Sequence, residues 1–370
     1  MLMRLKRNLE NMQTNNLPYC LAPWVNIQHG NTMEGTTPCC EWNGPKFKGD
    51  LGDYNNGEYL NNIKKMMLDK NMDFINNTCS ECINMEKVGI SSRRLKLFDD
   101  PVVQENSNNL LFFDYRPSNL CNLKCSMCNE FASSMIAKEK KIEIKQDYIR
   151  DGDYKKLDLQ NLFQIMIAGG EPSIQQEVYD FLNYCIEIGI HNTCHLQFTT
   201  NATNCNTKWM SMLEKWKSKS VEISLDGTGK TFEYVRTHSN WKSVEKNCEH
   251  YERIFDEVTY HITALAYNIP NVEDWIEWFM DKEDVNIYPV DANDHLTLDV
   301  IPDRIKIKKI NYLKQFDKPF VKTLIAMLEN SRYNHRLVSD LVEKTREQQF
   351  LRKGDIYSIN KIYKEVIPGL

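Results

Sequence analysis

The sequence predicts an α/β fold, in which a partial (β/α)6 TIM-like barrel lies between a small N-terminal module and a C-terminal extension. Strand-like apolar runs alternate with helix-like stretches between residues 108 and 300, eight of the twelve cysteines fall in the first 128 residues, and the chain after 300 is charged and helical in pattern. We therefore expect an irregular, β-hairpin metal-binding module at 1–107, the barrel at 108–300 and a helical extension at 301–370.

Six apolar runs define the strands of the predicted barrel. The strands are expected at 110–115, 163–170, 195–202, 220–227, 258–267 and 285–290. The helices between them are expected at 129–140, 173–189, 206–218, 241–255 and 271–281, with Pro270 and Asn271 suited to start the last one. This alternation is typical of a parallel sheet with crossover helices, and such barrels bind their ligands at the carboxyl ends of the strands.

The composition is that of an ordinary globular protein. Of 370 residues, 41% are hydrophobic and 26% are charged, and the net charge of −5 gives no general attraction to nucleic acid or to an anionic membrane. No apolar run approaches the roughly 20 residues of a membrane-spanning helix. The N-terminal stretch 1–13 is basic but lacks an apolar core, so we expect no signal peptide and a cytoplasmic location.

The clustered cysteines indicate metal binding, because disulfides are rare in a reducing compartment. Four cysteines outside the cluster are scattered singly, and isolated cysteines are more often small buried hydrophobic residues than ligands. These four are Cys185, Cys194, Cys205 and Cys248. Residues 1–100 are rich in Gly, Asn and Pro, with one helical stretch near 57–72, so a metal would stabilise a segment with little core of its own.

Three further cysteines, Cys121, Cys125 and Cys128, follow the first predicted strand with the spacing C-x3-C-x2-C. A structural zinc site is closed by four ligands, which this motif does not supply. A cubane iron–sulfur cluster has four iron corners, each of which takes a terminal ligand. Three thiolates therefore leave one iron open to a small molecule.

Together with AGGEP at 168–172, directly after the second predicted strand, this motif resembles the radical S-adenosylmethionine (radical SAM) superfamily. The resemblance implies a [4Fe-4S] cluster whose open iron binds the amino and carboxylate groups of S-adenosylmethionine. Gly169 and Gly170 would let the backbone approach that amino group, and Glu171 would neutralise its charge. The implied reaction is reductive cleavage to a 5′-deoxyadenosyl radical, which abstracts a hydrogen atom from substrate. The resemblance also implies an external electron donor of flavodoxin or ferredoxin type.

Four other positions resemble cofactor-binding residues of the superfamily less specifically. Asn201 ends the third strand, where relatives often carry Thr-Asn-Gly, although Ala202 replaces the glycine here. In SLDG, Ser224 and Asp226 resemble residues that contact the ribose, and Arg236 resembles an arginine that pairs with the methionine carboxylate. For each of these positions, the alternative is an ordinary turn or capping residue.

The N-terminal cysteines follow the pattern C-x14-G-x4-C, with a separate C-x2-C, and a turn at Gly35 would bring the first two thiols together. This pattern resembles the auxiliary-cluster module SPASM in its shortened form, twitch, although the usual family order places it after the barrel. The implied ligands of the auxiliary cluster are Cys20, Cys40, Cys79 and Cys82. Cys39 is the alternate to Cys40, because neighbouring residues of an extended chain point to opposite sides. Four thiolates also suit zinc, which remains the alternative metal.

The leading hypothesis from the resemblance is an enzyme that modifies a peptide or protein. One alternative is a nucleotide, sugar or RNA base as substrate, with the basic stretch RIKIKKI at 304–310 as its support. Another is an iron–sulfur electron carrier or binding protein without catalysis, which the open-iron motif argues against. The sequence selects no catalytic acid, base or hydrogen donor.

Overall fold

The structure is a computed structural model that describes residues 17–30, 34–144, 152–290 and 294–370; the stretch 1–13 lies outside them. The strands are β1 (Asn26–Gly30), β2 (Gly35–Thr37), β3 (Phe112–Arg116), β4 (Lys124–Cys125), β5 (Gln164–Ile167), β6 (His195–Thr200), β7 (Ser218–Ser224), β8 (Arg236–Thr237), β9 (Glu257–Ala264) and β10 (Asp284–Pro289). The helices are α1 (Ala22–Val25), α2 (Leu51–Asn56), α3 (Glu58–Leu68), α4 (Met72–Thr78), α5 (Ser80–Lys87), α6 (Arg93–Asp99), α7 (Pro101–Asn106), α8 (Ser134–Lys140), α9 (Gln176–Glu187), α10 (Thr207–Leu213), α11 (Gly229–Val235), α12 (Trp241–Ile254), α13 (Asp303–Leu313), α14 (Pro319–Asn330), α15 (His335–Arg352) and α16 (Tyr363–Val366). Among these helices, none is long and apolar enough to cross a membrane.

The chain divides into two compact units, which are described separately. The first unit comprises Met1–Asn119, Lys145–Gln197 and Ser211–Ser218. The second unit comprises Leu120–Ile144, Phe198–Met210 and Lys219–Leu370.

The sheet of the first unit joins the N-terminal hairpin to predicted barrel strands. Strand β1 pairs antiparallel with β2 and parallel with β3, and β3 pairs parallel with β5. The expected hairpin is confirmed, with Gly30 opposite Gly35. Gly35 has φ +141, and a Cβ there would lie 2.4 Å from the carbonyl oxygen of Phe47, so this close approach requires glycine.

The N-terminal segment is more helical than expected, since six helices, α2 to α7, follow the hairpin. Side-chain caps start several of them: Asn71 accepts from the amide of Phe74 at 3.0 Å, and Asp100 accepts from the amide of Val102 at 2.9 Å. Their apolar faces form a core with the thiols. Its large side chains include Trp42, Ile63, Met67, Ile75, Leu97 and Val103.

The second unit contains the parallel strands β7, β9 and β10, with β7 and β10 both paired to β9. Helix α12 matches the expected helix 241–255, but the expectation of a helix at 271–281 is wrong. Two 3-10 helices, Ile269–Asp274 and Ile276–Phe279, occupy that stretch. Asn271 has a non-helical backbone, and its side chain donates to the hydroxyl of Thr231 at 2.6 Å, so the side chain competes with a helical ladder.

The fold-class prediction is confirmed, because parallel strands alternate with helices in both units. The chain after residue 300 is helical, as expected, through α13 to α16. The division at 107 and 300 stays a prediction.

Candidate functional site

The three cysteines of the C-x3-C-x2-C motif lie in the second unit, on a loop that contains the two-residue strand β4. Strand β4 pairs antiparallel with β8, which places Cys125 opposite Arg236. The amide of Ser126 donates to the carbonyl of Val235 at 2.8 Å, and the amide of Cys128 donates to the carbonyl of Cys125 at 3.2 Å. Backbone pairing therefore fixes the middle of the loop.

The three thiols are close enough to influence one another. Burial raises the pKa of Cys128 to about 12, and the neighbouring Cys125 and Cys121 add to the rise because their thiolates would repel its own. Burial likewise raises the pKa of Cys125, against the opposing charge of Arg236. A bound metal reverses this balance, since ligation releases the thiol protons. Among the described residues, no three His, Cys, Asp or Glu side chains already stand as a metal-ligand set, but three soft thiol donors fit iron.

Arg236 and Asp226 form a buried ion pair beside Cys125. The Nε atom of Arg236 donates to Oδ2 of Asp226 at 2.7 Å, and its Nη1 donates to the sulfur of Cys125 at 3.7 Å. Oδ1 of Asp226 accepts from the amide of Thr263 at 2.7 Å. Asp226 is fully buried, and Ser224 is half-buried at the end of β7. Asp226 and Arg236 are thus near the cysteine loop, and both oxygens of Asp226 already have partners.

Asn201 also contacts the cysteine loop. Its Nδ2 donates to Oδ1 of Asn122 at 3.0 Å, while Nδ2 of Asn122 donates to the hydroxyl of Thr203 at 2.8 Å. Ala202, in the place of the expected glycine, has φ +55 in the left-handed region that favours glycine. The backbone turn of a Thr-Asn-Gly segment is therefore present despite the substitution.

The segment Gly169, Gly170 and Glu171 belongs to the first unit, where it follows β5. Gly169 has φ +119, and the amide of Gly170 donates to the carbonyl of Ser118 at 3.0 Å. Glu171 is buried, and its Oε1 accepts from the amide of Ser173 at 3.1 Å and from its hydroxyl at 2.6 Å. This carboxylate therefore caps the 3-10 helix Pro172–Ile174.

Helix α15 contacts the cysteine loop in the second unit and holds it in place. The sequence does not predict this contact. Arg352 donates to the carbonyl of Lys124 at 2.9 Å and pairs with Glu139 at 2.8 Å. Gln348 donates to the hydroxyl of Ser126 at 2.9 Å. No local sequence pattern predicts the role of these residues, because they lie in a mostly polar helix more than 200 positions from the cysteine loop.

A second group of thiols surrounds one small cavity in the first unit. Four cysteines line this cavity, together with two arginines. The cysteines are Cys20, Cys39, Cys79 and Cys82, and the arginines are Arg93 and Arg94. Cys40, predicted as a ligand, does not line the cavity: it is exposed, with its sulfur 3.6 Å from the Glu41 carboxylate.

The local sequence explains how these thiols meet. The hairpin of β1 and β2 returns the chain from Cys20 to Cys39, while Cys79 separates α4 from α5 and Cys82 lies in the first turn of α5. Burial raises the pKa of Cys20 to about 12, and the nearby Cys79 contributes by charge repulsion.

The two arginines give the cavity a cationic wall. Arg94 is buried, bonded to the Glu86 carboxylate and to the carbonyl of Tyr19, and packed on the Tyr19 ring. The Nε atom of Arg93 is buried and has no hydrogen-bond partner among the described residues. Four thiols beside an unpaired N–H donor fit an anionic metal–thiolate centre, which would supply the missing acceptor.

Comparisons with known proteins address the family directly. The sequence model of the Radical SAM superfamily matches residues 115–279. This family implies a [4Fe-4S] cluster and S-adenosylmethionine. No curated protein matches the chain.

Several solved structures resemble this chain distantly. The anSMEcpe structure with bound AdoMet has 18% identity and a TM-score of 0.42, with 64% of this chain and 66% of that chain covered. SuiB of Streptococcus suis bound to the precursor peptide SuiA has 14% identity and a TM-score of 0.36, with 81% and 70% covered. This chain thus spans slightly less than two thirds of the length of anSMEcpe. The likeness to the Radical SAM superfamily therefore rests on the sequence match over residues 115–279.

Proposed function

We propose that this protein is a radical SAM enzyme that modifies a peptide or protein substrate and holds a second, auxiliary iron–sulfur cluster. The observation that carries the proposal is the cavity in the first unit, where three cysteines of the SPASM-like pattern, Cys20, Cys79 and Cys82, line one space with the alternate Cys39. The resemblance links this module to peptide substrates, since relatives that carry it often act on ribosomally made peptides.

In this proposal, Cys121, Cys125 and Cys128 hold the cluster that binds S-adenosylmethionine, and an external flavodoxin- or ferredoxin-like protein supplies the electron. When bound, the cluster and S-adenosylmethionine supply the radical that abstracts hydrogen. The contribution of the chain is positional: β4 and β8 fix the loop, and Arg236 donates to the sulfur of Cys125. Gly169, Gly170, Glu171, Asn201 and Ser224 remain proposed cofactor contacts.

For the auxiliary cluster, we propose Cys39 in place of Cys40 as the fourth ligand. Cys39 lines the cavity with the three other thiols, whereas the sulfur of Cys40 lies at the surface beside Glu41. Four thiolates alone suit both zinc and an iron–sulfur cluster. The resemblance to the auxiliary module favours the iron–sulfur cluster.

The basic stretch 304–310 gives little support to an RNA substrate. It lies in α13, where Lys306 and Lys309 are buried and Lys309 pairs with Glu273 at 2.7 Å. Arg304 pairs with Glu365 at 3.0 Å. Lys306 and Lys309 therefore serve in packing, whereas Arg304 and Lys308 are exposed, so that only two cations of this stretch are open to a phosphate.

The central test is formation of 5′-deoxyadenosine under anaerobic conditions by reconstituted protein with S-adenosylmethionine and a strong reductant. We expect product from the parent protein and none from Cys125→Ala. If the fully iron-loaded parent forms none, with or without added peptide, the enzymatic proposal is wrong. A yield that rises with a mixed peptide library, but not with nucleosides or sugars, supports the substrate class; the reverse result contradicts it.

The auxiliary ligands are tested by metal content. Cys39→Ala and Cys40→Ala form a matched pair, because each removes one thiol from adjacent positions. We expect Cys39→Ala to lose iron, up to about four atoms per chain for a [4Fe-4S] cluster, and Cys40→Ala to keep the parental iron content. Loss in Cys40→Ala alone would restore Cys40 as the ligand, and zinc in the parent protein would replace the iron–sulfur assignment.

A further inference from the structure

We propose that Asp226 is a positioning residue that aims Arg236 at the sulfur of Cys125, and that this N–H donor raises the reduction potential of the cluster. The inference rests on the proposed function, because it assumes that Cys125 is a cluster ligand. It assigns Asp226 and Arg236 to the cysteine loop, in contrast to the ribose and methionine-carboxylate contacts that the resemblance implies.

The backbone brings the donor and the sulfur together. Strands β4 and β8 place Cys125 directly opposite Arg236, and the bond from the amide of Ser126 to Val235 continues this pairing. The guanidinium then reaches the sulfur at 3.7 Å, within hydrogen-bonding distance for a sulfur acceptor. Cys125 and Arg236 are each 8% exposed, so little water competes for the sulfur.

Asp226 fixes the direction of the guanidinium. Its Oδ2 holds Nε of Arg236 at 2.7 Å, which leaves Nη1 toward Cys125, and its Oδ1 is anchored by the amide of Thr263 at 2.7 Å. Asp226 has no exposed surface, so its carboxylate is committed to these partners. The chain of contacts therefore runs from β9 through Asp226 and Arg236 to Cys125.

The hydrogen bond to Cys125 matters for the negative charge that the cluster gains on reduction. Hydrogen bonds to ligand sulfurs are among the features that set the potential of an iron–sulfur cluster. A donor to a thiolate stabilises the more negative, reduced form. The Asp226–Arg236 pair has no net charge, so its effect on the cluster lies in the orientation of the guanidinium toward the sulfur.

The decisive variant is the double substitution Asp226→Asn with Arg236→Gln, studied in the full chain with its cluster reconstituted. It leaves the net charge of the pair unchanged and avoids an uncompensated buried charge, but it removes the guanidinium. The midpoint potential is read from the EPR signal of the reduced cluster in a redox titration without S-adenosylmethionine. Every protein in the titration, the parent included, also carries Cys79→Ala and Cys82→Ala, which leave too few thiols for the proposed auxiliary cluster, so that only one cluster contributes to the signal.

We expect the equilibrium constant for one-electron reduction to fall about tenfold, which corresponds to a potential about 59 mV more negative. The single variant Asp226→Asn should shift the potential in the same direction, because asparagine has one acceptor oxygen and cannot hold both Thr263 and Arg236. If Asp226 acted only through its negative charge, its removal would instead make the potential more positive. Arg236→Lys should lower the reduction potential less than the variant with Arg236→Gln does, since lysine keeps a cationic donor.

The control is the pair Glu273→Gln with Lys309→Gln, which neutralises a 2.7 Å ion pair of the same unit away from the cysteines. We expect this control to leave the potential unchanged. A parental potential in the Asp226→Asn, Arg236→Gln variant with full iron content overturns the inference and leaves the proposed function intact. Absence of any reduced-cluster signal in the protein with native Asp226 and Arg236 would instead contradict the proposed function.

Discussion

Helix α15 should control how firmly the cysteine loop is held, and Arg352→Leu tests this. Arg352 bonds Glu139 through Nη2 at 2.8 Å and through Nε at 3.2 Å, and it bonds the carbonyl of Lys124 at 2.9 Å. The leucine removes all three bonds and keeps an apolar side chain near the same space. We expect the loop around Cys125 to open more often.

The magnitude follows from the burial of the pair. The side chains of Arg352 and Glu139 are 10% and 8% exposed, and breaking a buried pair by removing one partner typically costs about 3–5 kcal/mol. Lys124 remains 2.8 Å from Glu139 in the variant and offsets part of the loss. We therefore expect about 3 kcal/mol for local opening, which is about a hundredfold in the opening equilibrium.

Amide hydrogen exchange is the suitable measurement, because it reports local opening without requiring the whole chain to unfold in two states. The amides of Ser126 and Cys128 are bonded within the loop and to Val235. In the apoprotein, we expect these amides to exchange about a hundredfold faster in Arg352→Leu, while those of β9 keep their rates.

Lys344→Ala is the matched control on the same helix, since the pair of Lys344 with Glu347 is more than half exposed. An exposed pair contributes about 0–1 kcal/mol, so the loop amides should change less than about fivefold. Equal rates in Arg352→Leu and Lys344→Ala would refute the role of the helix.

Three further predictions concern single residues. Gly169→Ala should lower thermal stability more than the neighbouring Gly170→Ala, because φ +119 at position 169 costs a side-chain-bearing residue about 1–3 kcal/mol; equal melting temperatures would contradict this. Burial lowers the pKa of His29 to about 4, so the unfolded chain binds a proton below pH 6.5 that the folded chain refuses. Stability of the first unit should fall by about 3 kcal/mol between pH 6.5 and 4 through this group, and urea unfolding of His29→Gln should show a flatter dependence. Asn122→Ala removes bonds to Asn201 and Thr203 worth about 1 kcal/mol each, so loop amides should exchange roughly tenfold faster or more; an unchanged rate would exclude this anchor.

The sequence predicts those parts of the fold that local patterns determine. Burial alternates along most of β9 and along β7 from Val221 onward, and the structure places both strands close to the predicted positions. Among the N-terminal helices, α3 falls in the predicted helical stretch near 57–72, whereas most of the others are not predicted because Gly, Asn and Pro are frequent in that segment. Helix α4 carries two asparagines and depends on the Asn71 cap and on packing of Ile75 against the thiol-rich core. Tertiary burial there outweighs weak helix propensity.

In the candidate site too, local patterns predict some residues, and only the folded chain brings in the others. Motif spacing identifies the three cysteines of the loop and most of the second group, because those residues are close in sequence. It cannot choose between Cys39 and Cys40, since both satisfy the spacing to within one residue and only the direction of the side chain separates them. It also cannot find Arg93 or Arg352, whose contacts depend on the folded chain rather than on neighbouring residues.

The attachments of the cysteine loop explain why so short a segment could keep three thiols together. Between Cys121 and Cys128, the alternate residues Asn122, Lys124 and Ser126 each bond other parts of the second unit. Asn122 is bonded to the residues after β6, the carbonyl of Lys124 to α15, and Ser126 to the last residue of α11 and to α15. Burial and mutual repulsion oppose ionisation of these thiols until a metal binds, and β4 alone has only two residues to hold them in place. The three attachments therefore hold the loop in place together, and loss of one should loosen the loop without detaching it.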